Sequence, residues 1–231
     1  MVIMNKNIEI LINDIKKIIG DRFLSAVLYG SYADNTQSKT SDINLIVVIE
    51  QLTALDLKNL HPAVKKWKNT PLFMGKTEWF ASSDVYPMEY ADIKDRHSIL
   101  YGDDIVSGLK IDKCHLRLQC ESETKNLLIR LRQGYVANSS DKKAINELIL
   151  NSSKSLMAIF KTILRLTSDE KVPNDKSQVI NKVSSLIGFD AKFFNSKNNN
   201  LIIQKLIDSI YDVLKYVDKL ETCNKNTCKE V

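Results

Sequence analysis

The apolar positions of this chain follow two regimes, short runs up to about residue 104 and helical spacing beyond it. Phe23, Leu24, Ala26, Val27, Leu28 and Tyr29 form a run of the length of a buried strand. Ile43, Leu45, Ile46, Val47, Val48 and Ile49 form a second. Ahead of them, Ile8, Leu11, Ile12, Ile15, Ile18 and Ile19 share one face of a predicted helix over residues 5–19, with Gly20 at its stop position. After them, Leu55, Leu57, Leu60, Val64 and Trp67 mark a helix within 53–68, in which Pro62 predicts a break or a fresh start. Leu72-Phe73-Met74 reads as a short extended piece, Thr77–Phe80 as a turn of helix, and Val85–Ile93 as an edge strand accommodating Pro87. Gly102-Asp103-Asp104 is a turn and separates an expected domain of residues 1–106 from one of residues 107–231.

In the second part, helices are expected over 115–136, 142–166, 178–186 and 201–220. Ile145, Leu148, Ile149, Leu156, Ile159, Phe160, Ile163 and Leu164 form one broad stripe. Ile202, Ile203, Leu206, Ile207, Ile210, Tyr211, Leu214 and Val217 form another. Stripes this wide bury against several neighbours, so a bundle of about four helices is the natural solution. The fold class is α+β: an α/β layer followed by an α-helical bundle.

Composition refines this picture little. With 44% hydrophobic and 26% charged residues among 231, the chain is ordinary globular material for one large or two modest domains. No run reaches the roughly eighteen apolar residues of a membrane span, and the first ten residues lack a signal-peptide core, so a cytoplasmic protein with no membrane partner is expected. Cys114, Cys120, Cys223 and Cys228 have no C-x-x-C pairing, which predicts free thiols rather than a zinc site. The net charge of +5 is uneven. Residues 1–106 hold 12 Lys and Arg against 14 Asp and Glu, and the remainder holds 21 against 14. A basic half of this kind is a solvated lysine-rich surface, or collects an anionic ligand. His61, His97 and His115 form no triad that spacing reveals, and there is no G-x-x-x-x-G-K-S/T loop, G-x-G-x-x-G or internal repeat. On the first long helix of the second half, Glu121, Arg130 and Arg132 either face a cleft or are solvated.

The chemistry concentrates in LYGSYADNTQSKTSDINLIVVIE, residues 28–50. Gly30 ends the first strand where the backbone must turn and an anion can come close, and Ser31 adds a hydroxyl and an N–H. Across a polar turn, Asp42 and Asn44 lead into the second strand, where alternation puts positions 42 and 44 on one face, able to share a cation.

Gly30-Ser31, Ala33 and Ser41-Asp42 resemble, in order and spacing, the G-S-x-A-R-G-x5-S-D-x-D-L signature of the DNA polymerase β-like nucleotidyltransferase superfamily. The following helical bundle is similar to the arrangement in kanamycin nucleotidyltransferase-like members. Two departures interrupt the pattern: Asp34-Asn35 stand at its Arg-Gly, and Asn44 stands at its second aspartate. Asparagine tolerates left-handed backbone, so Asn35 is a mild change. Asn44 keeps an oxygen ligand and drops a charge.

The resemblance implies a nucleotidyltransferase-fold domain in which Gly30 and Ser31 hold a nucleoside triphosphate. It implies Asp42, Asn44 and a later carboxylate arranging Mg2+ (or Mn2+), and transfer of a nucleoside monophosphate to an acceptor hydroxyl with release of pyrophosphate. By the same resemblance Glu89, ahead of Leu100-Tyr101-Gly102, is the candidate third metal ligand and the carboxylate that activates the acceptor, with Asp92 as the alternative. Acceptor, nucleotide preference, homodimer formation and nucleic-acid binding are left open. A second reading is a catalytically inactive nucleotidyltransferase-fold protein that binds nucleotide or a protein partner. A third, an RNA-binding bundle driven by the basic half, lacks interleaved aromatics.

Overall fold

The computed structural model describes residues 6–37, 41–65, 67–196 and 198–221. The chain divides into two compact units, Met1–Ile111 and Asp112–Val231. In the first, α1 (Lys6–Ile19), β1 (Phe23–Tyr29), β2 (Asn44–Ile49), α2 (Ala54–Val64), β3 (Leu72–Gly75), α3 (Lys76–Ala81), α4 (Pro87–Asp95) and β4 (His97–Gly102) follow in that order. They build one mixed sheet of order β3-β2-β1-β4, in which β1 runs antiparallel to β2 and β4 while β2 and β3 are parallel.

Both faces of the central strands are buried, which is why their sequences are continuous rather than alternating apolar runs. Ala26, Leu28, Leu45, Val47 and Ile49 pack with Ile8, Leu11, Ile12, Ile15 and Ile19 of α1 and Leu60 of α2. Val27, Ile46 and Val48 pack on the opposite face with Met74, Trp79, Tyr90, Ile93, Ile105, Val106 and Leu109. Ile18, at the edge of the expected stripe and in the last turn of α1, is exposed. Pro62 does not break α2 but sits in its last turn, where it removes only the N–H that would donate to the Lys58 carbonyl and leaves few residues beyond it to kink.

Trp79 fills the centre of the second core, completely buried, with its ring stacked on Tyr90 at 4.5 Å. Its indole N–H donates to the Ile105 carbonyl at 3.0 Å, and the Tyr90 hydroxyl donates to the Trp79 carbonyl at 2.7 Å. Burial pushes the Tyr90 phenol up to about 12. Trp79→Phe is expected to cost about 2–3 kcal/mol in urea unfolding, because it leaves a small cavity and an unpaired buried carbonyl.

An ion pair fixes the start of α2. Arg22 donates to both Asp56 oxygens, at 2.6 and 3.0 Å, and Asp56 completes a capping box with Thr53. The Arg22 guanidinium, helped by Thr53, holds the Asp56 carboxyl well below the usual carboxylate range. A folded-state pKa below the unfolded one gives stability that is fully present above the unfolded value of about 3.9 and is lost as pH falls through the folded value. The stability gap between the parent and Asp56→Asn is therefore expected to be open at pH 7 and to narrow at pH 3, read from urea midpoints.

The second unit contains α5 (Lys113–Asn138), α6 (Lys142–Thr167), α7 (Lys176–Ile187) and α8 (Asn199–Asp218). Asp112, Asp141 and Asp175 cap the first three by accepting from first-turn N–H groups. Ile145, Leu156, Ile159, Phe160 and Ile163 of α6 and Ile202, Ile203, Leu206, Ile210 and Val217 of α8 are buried. Tyr211 is exposed instead, with the Arg132 guanidinium 4.8 Å above its ring. Glu121 accepts from Arg117 and Lys125 on its own helix.

The expectation of free thiols holds for Cys120, which is buried with its thiol pushed up to about 12. It fails for Cys114, which is disulfide-bonded. Cys223, Cys228 and the tail expected to fray after Glu221 lie outside the described residues. Among the described residues no helix is long and apolar enough to cross a membrane.

Candidate functional site

The β1–β2 hairpin brings the Gly-Ser turn and the start of β2 together. Tyr29, the last residue of β1, is paired with Asn44, the first of β2, and with His97 on β4. Gly30 follows in left-handed backbone, φ +77°, and opens a single 3-10 turn, Gly30–Tyr32. A Cβ added at Gly30 would lie 3.4 Å from the Asn44 amide nitrogen, so a larger residue here would come into contact with the start of β2. The Gly30 N–H donates to the Arg96 carbonyl at 3.0 Å and is therefore spoken for. The half-buried Ser31 has no hydroxyl partner among the described residues, and its carbonyl accepts from Thr36 at 2.9 Å. Asn35 is the one described non-glycine residue with positive φ, +58°, in agreement with the conformation expected where the signature carries glycine.

Asp42 stands just ahead of β2 and accepts from Lys68 Nζ at 2.8 Å, with both side chains largely solvated. The pairing holds the Lys68 ammonium above its usual range. Asp42 and Lys68 line a cavity of about 710 Å³ together with Asp14, Tyr32 and Trp67. Lys68 was not legible as a site residue: it sits among other lysines past the end of a helix, and only the fold brings it to Asp42.

Glu89 is not on a strand. The segment expected as an edge strand is α4, with Pro87 at its first turn. The reason is physical: proline is preorganised for the first helical turn, and Met88 with Ala91, and Tyr90 with Ile93, are buried at i,i+3 spacing. Glu89 lies on the exposed side of that turn, seven residues before Arg96 and so roughly 10 Å along the axis from the end that touches Gly30. Asp92 is closer. Its carboxylate, together with burial as the larger effect, raises the Tyr29 phenol, and it accepts from the Arg96 guanidinium. The strands flanking the hairpin, Leu72–Gly75 and His97–Gly102, carry no acidic residue. Among the described residues no group of three His, Cys, Asp or Glu is placed to hold a metal ion.

The donor set decides what cation chemistry this hairpin suits. One carboxylate, Asp42, and one amide oxygen, Asn44, match the oxygen ligands of a single hard divalent cation that keeps several waters. They do not match a pair of such cations, which need more negative charge than one carboxylate supplies.

No protein-family model matches the chain, and no curated protein does. Among solved structures, spectinomycin adenyltransferase from Enterococcus faecialis, crystallised with ATP and spectinomycin, matches with a TM-score of 0.49 and 15% identity. The match covers 89% of this chain and 98% of that one.

Proposed function

We propose that the β1–β2 hairpin binds the phosphates of a nucleoside triphosphate, and that the chain is a nucleotidyltransferase-type protein passing a nucleoside monophosphate to an acceptor hydroxyl. The observation that carries this reading is the pairing of the strand ends, Tyr29 with Asn44, which sets left-handed Gly30 and then Ser31 at the start of β2, with Asp42 two residues ahead of Asn44. A small, turned backbone with a hydroxyl lets a bulky anion approach, and a carboxylate across the hairpin attracts the cation that accompanies it. Asp42 would hold one Mg2+ or Mn2+ ion with help from the Asn44 amide. When bound, that ion neutralises triphosphate charge and polarises the phosphate under attack. Ser31 donates its hydroxyl to a phosphate oxygen, and Lys68, a cation on a flexible stem, offers a second positive contact once Asp42 is engaged elsewhere.

A second reading is favoured by the same donor set. With Asn44 uncharged, Glu89 on the exposed side of the first turn of α4 and Asp92 accepting from Arg96, the hairpin suits nucleotide binding without transfer. Incubating the protein with each triphosphate and magnesium, and following pyrophosphate release over a panel of hydroxyl acceptors, separates the two. Release that Asp42→Ala abolishes supports transfer; binding with no release from any triphosphate supports the binding module.

A further inference from the structure

We propose that Arg96 is the positioning residue of the phosphate-facing turn, tethering Gly30 through its backbone and Asp34 through its guanidinium, so that nucleotide affinity depends on an ion pair outside the phosphate contacts. The inference rests on the reading of the Gly30–Ser31 turn given above. Gly30 and Asn35 both hold positive φ, +77° and +58°, a backbone that these residue types tolerate without being confined to it, so a fixed turn needs restraint from its surroundings. The structure supplies that restraint at both ends. At the first, the Gly30 N–H donates to the Arg96 carbonyl at 3.0 Å. At the second, one Asp34 oxygen accepts from the Thr36 N–H at 3.1 Å and the Thr36 hydroxyl at 2.5 Å, closing the turn around Asn35. The other Asp34 oxygen faces Arg96 Nη1 at 3.9 Å.

The guanidinium is itself fixed from the other side, by Asp92 one turn earlier on α4. It therefore bridges a helix end, the start of β4 and the turn. The Arg96 and Asp34 side chains are only 16% and 15% exposed, which keeps their attraction little screened. Arg96 Nε and the facing Asp34 oxygen are buried with no hydrogen-bond partner among the described residues. Removing the Arg96 charge therefore strands the buried Asp34 oxygen, while removing the Asp34 charge leaves the guanidinium with Asp92. A lysine at position 96 cannot reproduce the fork that serves Asp92 and Asp34 together.

The test compares the parent with Arg96→Met, Asp34→Asn and the double variant. It reads amide hydrogen exchange of residues 30–36 without nucleotide, affinity for magnesium-ATP, and melting temperature. The single variants are expected to speed exchange across the turn and weaken magnesium-ATP binding about tenfold, and the double variant to lose less than the sum of the two. Three outcomes overturn the proposal. One is a fall in melting temperature with exchange in 30–36 and affinity unchanged, which makes the cluster structural only. Another is a double variant whose losses are the sum of the single ones, which makes the two residues independent. The third is an Arg96→Met variant that loses affinity with exchange unchanged, which makes the guanidinium a phosphate contact. Exchange is read without ligand, so faster exchange in the variants supports the tether even where the parent binds no ATP; that lack of binding would count against the proposed function alone.

Discussion

Gly102→Ala is expected to destabilise the first unit by about 3 kcal/mol or more, a loss at the upper end of what single substitutions produce. Gly102 ends β4 at φ +74°, and its partner across the sheet is Ser25. An added Cβ would lie 1.8 Å from the Leu24 carbonyl oxygen and 2.8 Å from its carbon, both main-chain atoms of β1. That carbonyl accepts from the Asp103 N–H at 3.1 Å, and the buried Ser25 hydroxyl donates to the Asp103 carbonyl at 2.7 Å. No side chain can swing aside to relieve the clash, so β4 has to move off β1 and give up both bonds. Gly20→Ala is the control: φ is +64° there too, but nothing lies within 4 Å, so only the left-handed penalty of about 1 kcal/mol applies. Urea unfolding of the two variants checks the contrast, and Gly102→Ala within about 1 kcal/mol of Gly20→Ala would sink it.

The second large effect is functional. Asp42→Ala is expected to remove the magnesium-dependent part of nucleoside triphosphate binding, a loss of about tenfold to a hundredfold, and to leave the weak magnesium-free part unchanged. Asp42 is the carboxylate at the hairpin, and the cation it now pairs with is an exposed ammonium, a contact of the kind worth about 0–1 kcal/mol. A divalent ion displaces such a partner at little cost. Asn44→Asp adds a second carboxylate next to Gly30 and is expected to bind magnesium more tightly than the parent, as calorimetry with the metal alone would register.

How much of this was legible beforehand follows from what each residue's neighbours contribute. The strands β1 and β2 and the helix α1 could be read because both faces of the sheet are buried and one helix face is continuous, patterns that need no knowledge of the tertiary fold. The left-handed residue at position 35 was legible from the tolerance of asparagine for that backbone. The segment containing Glu89 was not, because proline fits both an edge strand and a first helical turn, and nine residues hold too few periods to separate the two. Lys68 and Arg96 were illegible for another reason: their roles are set by Asp42 and by Gly30 and Asp34, distant in sequence and adjacent only once the sheet has formed.

The most direct test of the central claim is calorimetric titration of ATP, GTP, CTP and UTP into the full chain with and without magnesium, with Asp42→Ala beside it. Binding of at least one triphosphate that needs magnesium, and that the variant loses, is the predicted result. Binding that the variant retains in full, or no binding of any triphosphate, would contradict the assignment of the β1–β2 hairpin as the nucleotide site.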